Sequence, residues 1–301
     1  MIARGFASSP GADAKDMQLR PYRESDIPEL VSLLNEAERG SYEFIPYTEE
    51  DVRVRLTGAS CVLLAEDEQR QMVGLAYLRQ DWYGETVSFY VRPGSSREEV
   101  ADLLLPVIEP ENKTGSLSTG IDSLDQDRLA FFTARGYGEE GSLYQMVAQL
   151  DHLRPLPQLA EGYLMRSLKP HEEETLIRLA NAAYEGERLR PGILDRWKKE
   201  DPAFGTDWIQ VAEYEGELVA LVVARSEREY NEHYHASRGY LGPAGTLPAH
   251  RGKDLVKALT ARAMNFLHER AMQTVCLQTW HGNLPALAVI KALGFRLDHE
   301  W

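Results

Sequence analysis

The chain has 301 residues, 43% of them hydrophobic and 27% charged, which exceeds the usual size of a single core and makes two domains of ordinary size the default. Its formal net charge of −14 argues against non-specific binding to nucleic acid or an anionic membrane, both of which need clustered Lys and Arg, and suits a cationic partner better. Cys61 and Cys276 are the only cysteines and have no C-x-x-C spacing, so neither a disulfide framework nor a zinc site is expected, and the chain reads as a reduced, cytoplasmic protein without a metal.

In chain order, residues 1–16 (MIARGFASSPGADAKD) are rich in Ala, Ser and Gly but lack the apolar core of a secretion signal, and are expected to be a disordered tail. No later stretch approaches the apolar run of about 18 residues that a membrane span needs. The segment LRPYRESDIPELVSLLNEAE at 19–38 reads as strand, turn and helix, and it has a counterpart in MRSLKPHEEETLIRLANAAYE at 165–185. At nearly the same offset LAEDEQRQMVGLAYLR (64–79) pairs with VAEYEGELVALVVAR (211–225), each a strand, an acidic turn and a second strand. Further on the offset grows: FFTARGYG at 131–138 aligns with VIKALGFR at 289–296, so the second copy carries extra residues, many of them in SEREYNEHYHAS at 226–237. A hydrophobic period near 3.6 around 95–111, 125–135, 250–270 and 284–293 predicts helices.

The alternation predicts an α/β (α+β) fold of two tandem domains, each a mixed central sheet flanked by helices. The joint is expected at DHLRPLPQLAEG, 151–162, giving domains at 17–152 and 161–301 with SLYQMVAQL as the last strand of the first copy. On that division the second copy ends early. Its closing strand is then missing, disordered or supplied by another element, because an unpaired sheet edge is a liability.

The stretch GYLGPAGTLPAHRGKDLVKALTARAMNFLHERAMQTVCLQTWHGNLPALAVIKALGF at 239–295 carries the chemistry. Gly245, Thr246, Leu247 and Pro248 end a strand, Arg251 and Gly252 open a loop before a long helix, and a second strand ends at Trp280 before Asn283, a helix and Leu293-Gly294-Phe295. Backbone N–H groups at such a helix start make an anion site that suits a pyrophosphate. This pattern resembles the GNAT acetyltransferase superfamily over all of the second copy and, more weakly, over the first; the tandem layout and the Trp-x-x-Asn ending look most like mycothiol-synthase-type double-domain proteins. The resemblance implies acetyl-CoA as co-substrate, cradled by the backbone of His250, Arg251, Gly252, Lys253, Asp254, Leu255 and Val256. The strand edge at Gly245, Thr246 and Leu247 would pair with the pantetheine arm, Asn283 would touch the coenzyme, and an N–H near Thr246 would face the thioester carbonyl.

Three positions depart from that pattern. Asp254 and Val256 stand where the family keeps small residues, and Ile290 stands where many members place a tyrosine that protonates the departing thiolate. A carboxylate beside a pyrophosphate is repulsive, and Asp254 also suits the positive end of a helix in its own right. For the general base that an alkylamine requires, Tyr240 on the strand before the cradle and His281 after Trp280 are the catalytic candidates, against readings as a strand aromatic and an exposed turn histidine. Asn283 is equally well explained as an N-cap. Glu227, Glu229, Glu232, His233 and His235, interleaved with Tyr230 and Tyr234, read as a solvated loop or as a lid for a cationic acceptor. In the first copy Tyr90-Val91-Arg92-Pro93 keeps the strand end, but Gly94-Ser95-Ser96-Arg97-Glu98-Glu99 replaces the cradle, so that copy is expected to be non-catalytic.

These readings predict an acyl-CoA-dependent N-acetyltransferase that acts on a small, cationic amine in its second domain by direct attack, as a monomer or homodimer, with no nucleic-acid or membrane partner. The competing class is a non-enzymatic protein that senses acyl-CoA or another small ligand on a degenerate fold.

Overall fold

The computed structural model describes residues 2–4, 17–81 and 84–301. They form two compact units, Met1–Ser142 and Leu143–Glu300, each built on a seven-stranded sheet. Among the described residues no helix is long and apolar enough to cross a membrane.

The first unit runs β1 (Ile2–Arg4), β2 (Gln18–Pro21), α1 (Ile27–Ala37), α2 (Glu49–Leu56), β3 (Ala59–Glu66), β4 (Met72–Asp81), β5 (Gly84–Val91), α3 (Arg97–Ile108), β6 (Leu117–Thr119), α4 (Gln126–Ala134) and β7 (Gly138–Glu139). Its sheet order is β2-β3-β4-β5-β6-β1-β7. Successive residues of a strand face opposite sides of the sheet, and β3 shows the consequence: Leu63 and Ala65 pack in one apolar cluster with α3 and α4, while Leu64 packs in another with α1 and α2. Helices therefore cover both faces.

The second unit runs β8 (Leu143–Gln149), β9 (Tyr163–Ser167), α5 (Glu173–Tyr184), α6 (Ile193–Glu200), β10 (Ile209–Tyr214), β11 (Glu217–Ser226), α7 (Arg228–Tyr234), β12 (Arg238–Thr246), α8 (Leu255–Glu269), β13 (Thr274–Trp280), α9 (Leu284–Ala292) and β14 (Arg296–Glu300), with sheet order β14-β8-β13-β12-β11-β10-β9. The two tandem mixed sheets with flanking helices match the expected fold class. The duplication persists at the level of ion pairs. Arg20 binds Asp26 at 2.7 Å and Glu66 at 2.5 Å, and Arg166 binds Glu172 at 2.7 Å and Glu213 at 2.8 Å.

The joint differs from the sequence reading. SLYQMVAQL does not close the first sheet: β8 pairs along its whole length with β13 and, on its other side, with β14. The corresponding slot in the first sheet, between β6 and β7, is filled by β1. Each copy thus begins with the strand that later inserts beside its own end, and the short ending of the second copy is completed by an element that precedes it. A period-two pattern marks a strand without saying which edge it joins, so the sequence alone leaves β8 with the copy it follows while the structure puts it in the second sheet. The expected disordered tail lies mostly outside the described residues; within it, Ile2–Arg4 is strand.

Candidate active site

The site forms where the second sheet opens. β12 and β13 pair in parallel only over Arg238–Tyr240 and Thr274–Cys276. Past that point the register of β12 against β11 skips, Ala224 facing Leu241 while Val222 faces Ala244, so β12 carries one extra residue, a bulge at Gly242-Pro243 whose peptide bond is cis. Bulges bend a strand and end its pairing on one side. Among the described residues, β12 from Leu241 onward keeps β11 as its only strand partner.

The direction of its backbone groups follows from the ladder. Leu247 N donates to Val219 O at 2.9 Å, and because backbone groups alternate sides along an antiparallel strand, Gly245 also faces β11 while Ala244 and Thr246 face the open edge. Of the three edge residues expected from sequence, Thr246 alone is placed to offer hydrogen bonds there. Ala244, which was not singled out, is its companion; counting back two from Thr246 would have found it.

Both edge residues meet side chains of the same unit. The Tyr184 hydroxyl, from the last residue of α5, donates to Ala244 O at 3.0 Å and accepts from Ala244 N at 3.2 Å. Arg251 Nε donates to Thr246 O at 3.4 Å, and its Nη2 donates to Ala183 O at 3.0 Å and meets Glu185 at 3.2 Å. Gly245 lets the helix come this close, since a Cβ there would lie 3.0 Å from Ala183 Cβ and 3.5 Å from the Tyr184 ring. Tyr184 had no sequence signal, because it stands where the first copy has Glu38.

The loop after β12 leads into α8. Gly252 (φ 77°) and Asp254 (φ 56°) both adopt left-handed backbone, a conformation free for glycine and tolerated by Asp. Among the described residues the amides from Gly252 to Lys257 have no protein acceptor, the first helical bond being Ala258 N to Asp254 O. Asp254 does not take the helix end for itself, since its side chain makes no capping hydrogen bond. Val256 packs on the hydrophobic core and Leu255 is buried in it. The basic side chains turn aside: Lys253 Nζ donates to Tyr163 Oη at 2.6 Å, and His250 Nδ1 shares a hydrogen bond with the same hydroxyl at 2.8 Å. What the loop presents is a row of free amides at the positive end of a helix, a ready anion site.

The remaining candidates separate. Burial pushes the Tyr240 phenol up to about 12, with the Arg225 guanidinium 5.1 Å from its ring opposing the shift, so at neutral pH Tyr240 stays protonated and can relay a proton but not abstract one. It lies at the crotch of the opening, paired with Cys276. His281 is five residues beyond that point along β13, roughly 16 Å away at the rise of a strand, with its ring 4.8 Å from that of Trp280. The structure therefore does not bring Tyr240 and His281 together. The Asn283 side chain accepts from Ala286 N at 3.4 Å as the N-cap of α9, and Ile290 is buried in the core. In the inserted segment Glu227, just before α7, pairs with Arg238, and within α7 Glu232 pairs with Arg228, while the Arg238 guanidinium stacks on Tyr230 at 3.3 Å; among the described residues no group of three or more His, Cys, Asp or Glu could hold a metal.

The same opening in the first unit is closed. Arg128 Nη2 donates to Phe89 O at 3.0 Å, and Phe89 stacks against Phe131, leaving a pocket of 70 Å³ lined by Phe89, Tyr90, Glu38 and Arg128 among others. The start of α3 is capped by Ser96, which accepts from Glu99 N at 3.3 Å. In the first unit the strand edge thus carries Arg128 and the helix start carries Ser96.

A mixed sheet that opens beside a helix start with free amides is the framework of an N-acetyltransferase. Residues 173–295 match the acetyltransferase (GNAT) family. Curated relatives include mycothiol acetyltransferases of Paenarthrobacter aurescens, 25% identical with 83% of each chain covered, and of Actinosynnema mirum, 26% identical with 89% of this chain and 91% of that one covered. Among solved structures, a GCN5-related N-acetyltransferase from Sphaerobacter thermophilus superposes with a TM-score of 0.65 at 17% identity, covering 94% and 93% of the two chains. A tandem GNAT protein from the clavulanic acid biosynthesis pathway does so with a TM-score of 0.64 at 17% identity, covering 95% and 97%. The chain carries a GNAT acetyltransferase domain in a tandem GNAT fold, and its class is N-acetyltransferase.

Proposed function

We propose that the second unit binds acetyl-CoA and transfers the acetyl group to a small amine by direct attack, and that the first unit binds no coenzyme. The observation that carries this reading is the adjacency of two features in one unit: the free amides from Gly252 to Lys257, and the outward backbone groups of Ala244 and Thr246 on a strand edge that only side chains, those of Tyr184 and Arg251, cover among the described residues. The amides suit the pyrophosphate and the edge suits the amide groups of the pantetheine arm, which add to it as an extended peptide adds to a sheet. Next to the helix start, His152, Arg154, Lys257 and Leu293 help line an open pocket of 520 Å³. It has three basic residues and no acidic one in a chain of net charge −14, which suits the phosphorylated nucleotide end.

In the reaction the neutral amine attacks the thioester carbon, and the oxyanion that forms takes the Ala244 N–H, a preorganised donor that need not reorient. Tyr240, protonated at the bulge, passes protons between the cleft and water. The relatives' name makes the free-amine form of mycothiol the first acceptor to test, followed by other small amines. A thiol-release assay with acetyl-CoA over that panel tests the reading. Turnover with at least one amine is expected; acetyl-CoA binding without thiol release over the whole panel would mark the chain as a sensor instead.

A further inference from the structure

The Tyr184 hydroxyl sits on the open edge of β12, hydrogen-bonded to both backbone groups of Ala244 at 3.0 and 3.2 Å. That is the position in which a substrate carbonyl oxygen would accept the Ala244 N–H. The rest of α5 is held firmly behind it. Asn181 Oδ1 accepts from Arg188 N and Leu189 N at 2.7 Å each, fixing the turn after the helix, and this places the Arg188 guanidinium 4.9 Å from the Tyr184 ring. The side chain itself faces solvent, with 44% of the residue exposed. On α9, across the opening, Ile290 is buried and has no proton to give.

We propose that Tyr184 is the catalytic acid of the second unit, protonating the sulfur as the thioester breaks. This rests on the acetyl-CoA reading above. The carbonyl oxygen and the sulfur of a thioester are bonded to one carbon, so a phenol displaced from the oxygen's place by the arriving carbonyl retreats by about the width of an atom and stays within reach of the sulfur. The amine lone pair forms the C–N bond and the oxyanion takes the Ala244 N–H. On collapse the C–S bond breaks with its electron pair going to sulfur, and the phenol proton follows to give the free thiol. The phenolate, faced by Arg188, then recovers the proton that the amine nitrogen sheds, so the hydroxyl is regenerated. The charged and titratable groups around it are Arg188 and Glu185 after α5, Arg225 on β11, Tyr240 on β12 and Arg251 in the loop.

Tyr184→Phe keeps the ring and removes only the hydroxyl, so the variant should fold. Calorimetric titration of acetyl-CoA and initial rates at saturating amine are compared with the unsubstituted chain. The expected result is a dissociation constant unchanged or up to tenfold tighter, because the edge amide is released, together with a kcat about 100-fold lower, the scale of a lost general acid. A kcat within threefold of the original would reduce Tyr184 to an edge cap, and kcat lost together with hundredfold weaker binding would make it structural; either overturns the proposal. Failure of the unsubstituted chain to bind acetyl-CoA overturns the functional reading itself, a distinct outcome.

Discussion

Replacing Asp254 by Gly should tighten acetyl-CoA binding, and the structure sets the scale. The carboxylate stands at the N-cap of α8 beside the free amides, and among the described residues it makes no bond that would neutralise it. At roughly 6 Å from a bound pyrophosphate and an effective dielectric near 20, each unit of phosphate charge repels it by about 3 kcal/mol. Asp254 is exposed, and solvent and salt screening cut that to about 1–2 kcal/mol, a tightening of roughly 5- to 30-fold. The backbone contributes separately: at φ 56° a non-glycine residue is strained by about 1 kcal/mol, partly offset by the larger chain entropy that glycine loses on folding. A rise of about 1–3 °C in Tm is therefore expected. Asp254→Asn removes the charge while keeping a side chain that tolerates the left-handed backbone, so it should recover most of the affinity without the gain in Tm. The assay is calorimetric titration at low and high salt, where the advantage of both variants should shrink as salt rises. A dissociation constant unchanged or weakened in both would refute the repulsion argument.

Asn283→Ala should lower stability by about 1 kcal/mol through loss of the α9 cap and leave acetyl-CoA affinity within twofold by titration; a tenfold weakening would instead make Asn283 a coenzyme contact. Lys257 makes no ion pair among the described residues and lines the basic pocket, so Lys257→Glu should weaken acetyl-CoA about tenfold or more, measured by the same titration, with no loss in Tm. The Arg166 guanidinium, hydrogen-bonded to Glu172, holds that carboxyl down to about 2. Its folded value lies below the unfolded one, so the stabilisation is complete above about pH 4.5 and is lost as the pH falls toward 2; Glu172→Gln should melt below the original chain at neutral pH, and the difference should vanish in that acidic window.

The duplication, the two-sheet fold and the helix start were all legible, because each is written as periodicity or as local loop chemistry. Arg20 with Asp26 and Arg166 with Glu172 repeat at one offset in the sequence and form the same bridge in each unit. What was not legible depends on where distant segments meet. The partner sheet of β8 is decided by which edge is open, and nothing in SLYQMVAQL encodes that. Tyr184 becomes part of the site only because α5 ends against β12 with Gly245 between them. Asp254 and Val256 were read from sequence as obstacles within the cradle; the fold turns Val256 into the core and leaves the amides beside Asp254 free. The departure at Ile290 stands, since that side chain is buried.

The most direct test of the central claim is the stoichiometry of acetyl-CoA binding to the full chain by isothermal titration. One site per chain is expected, taken by the second unit, because the first has Ser96 on its helix start and Arg128 on its strand edge. Absence of heat at millimolar ligand, or two equivalent sites, would contradict it.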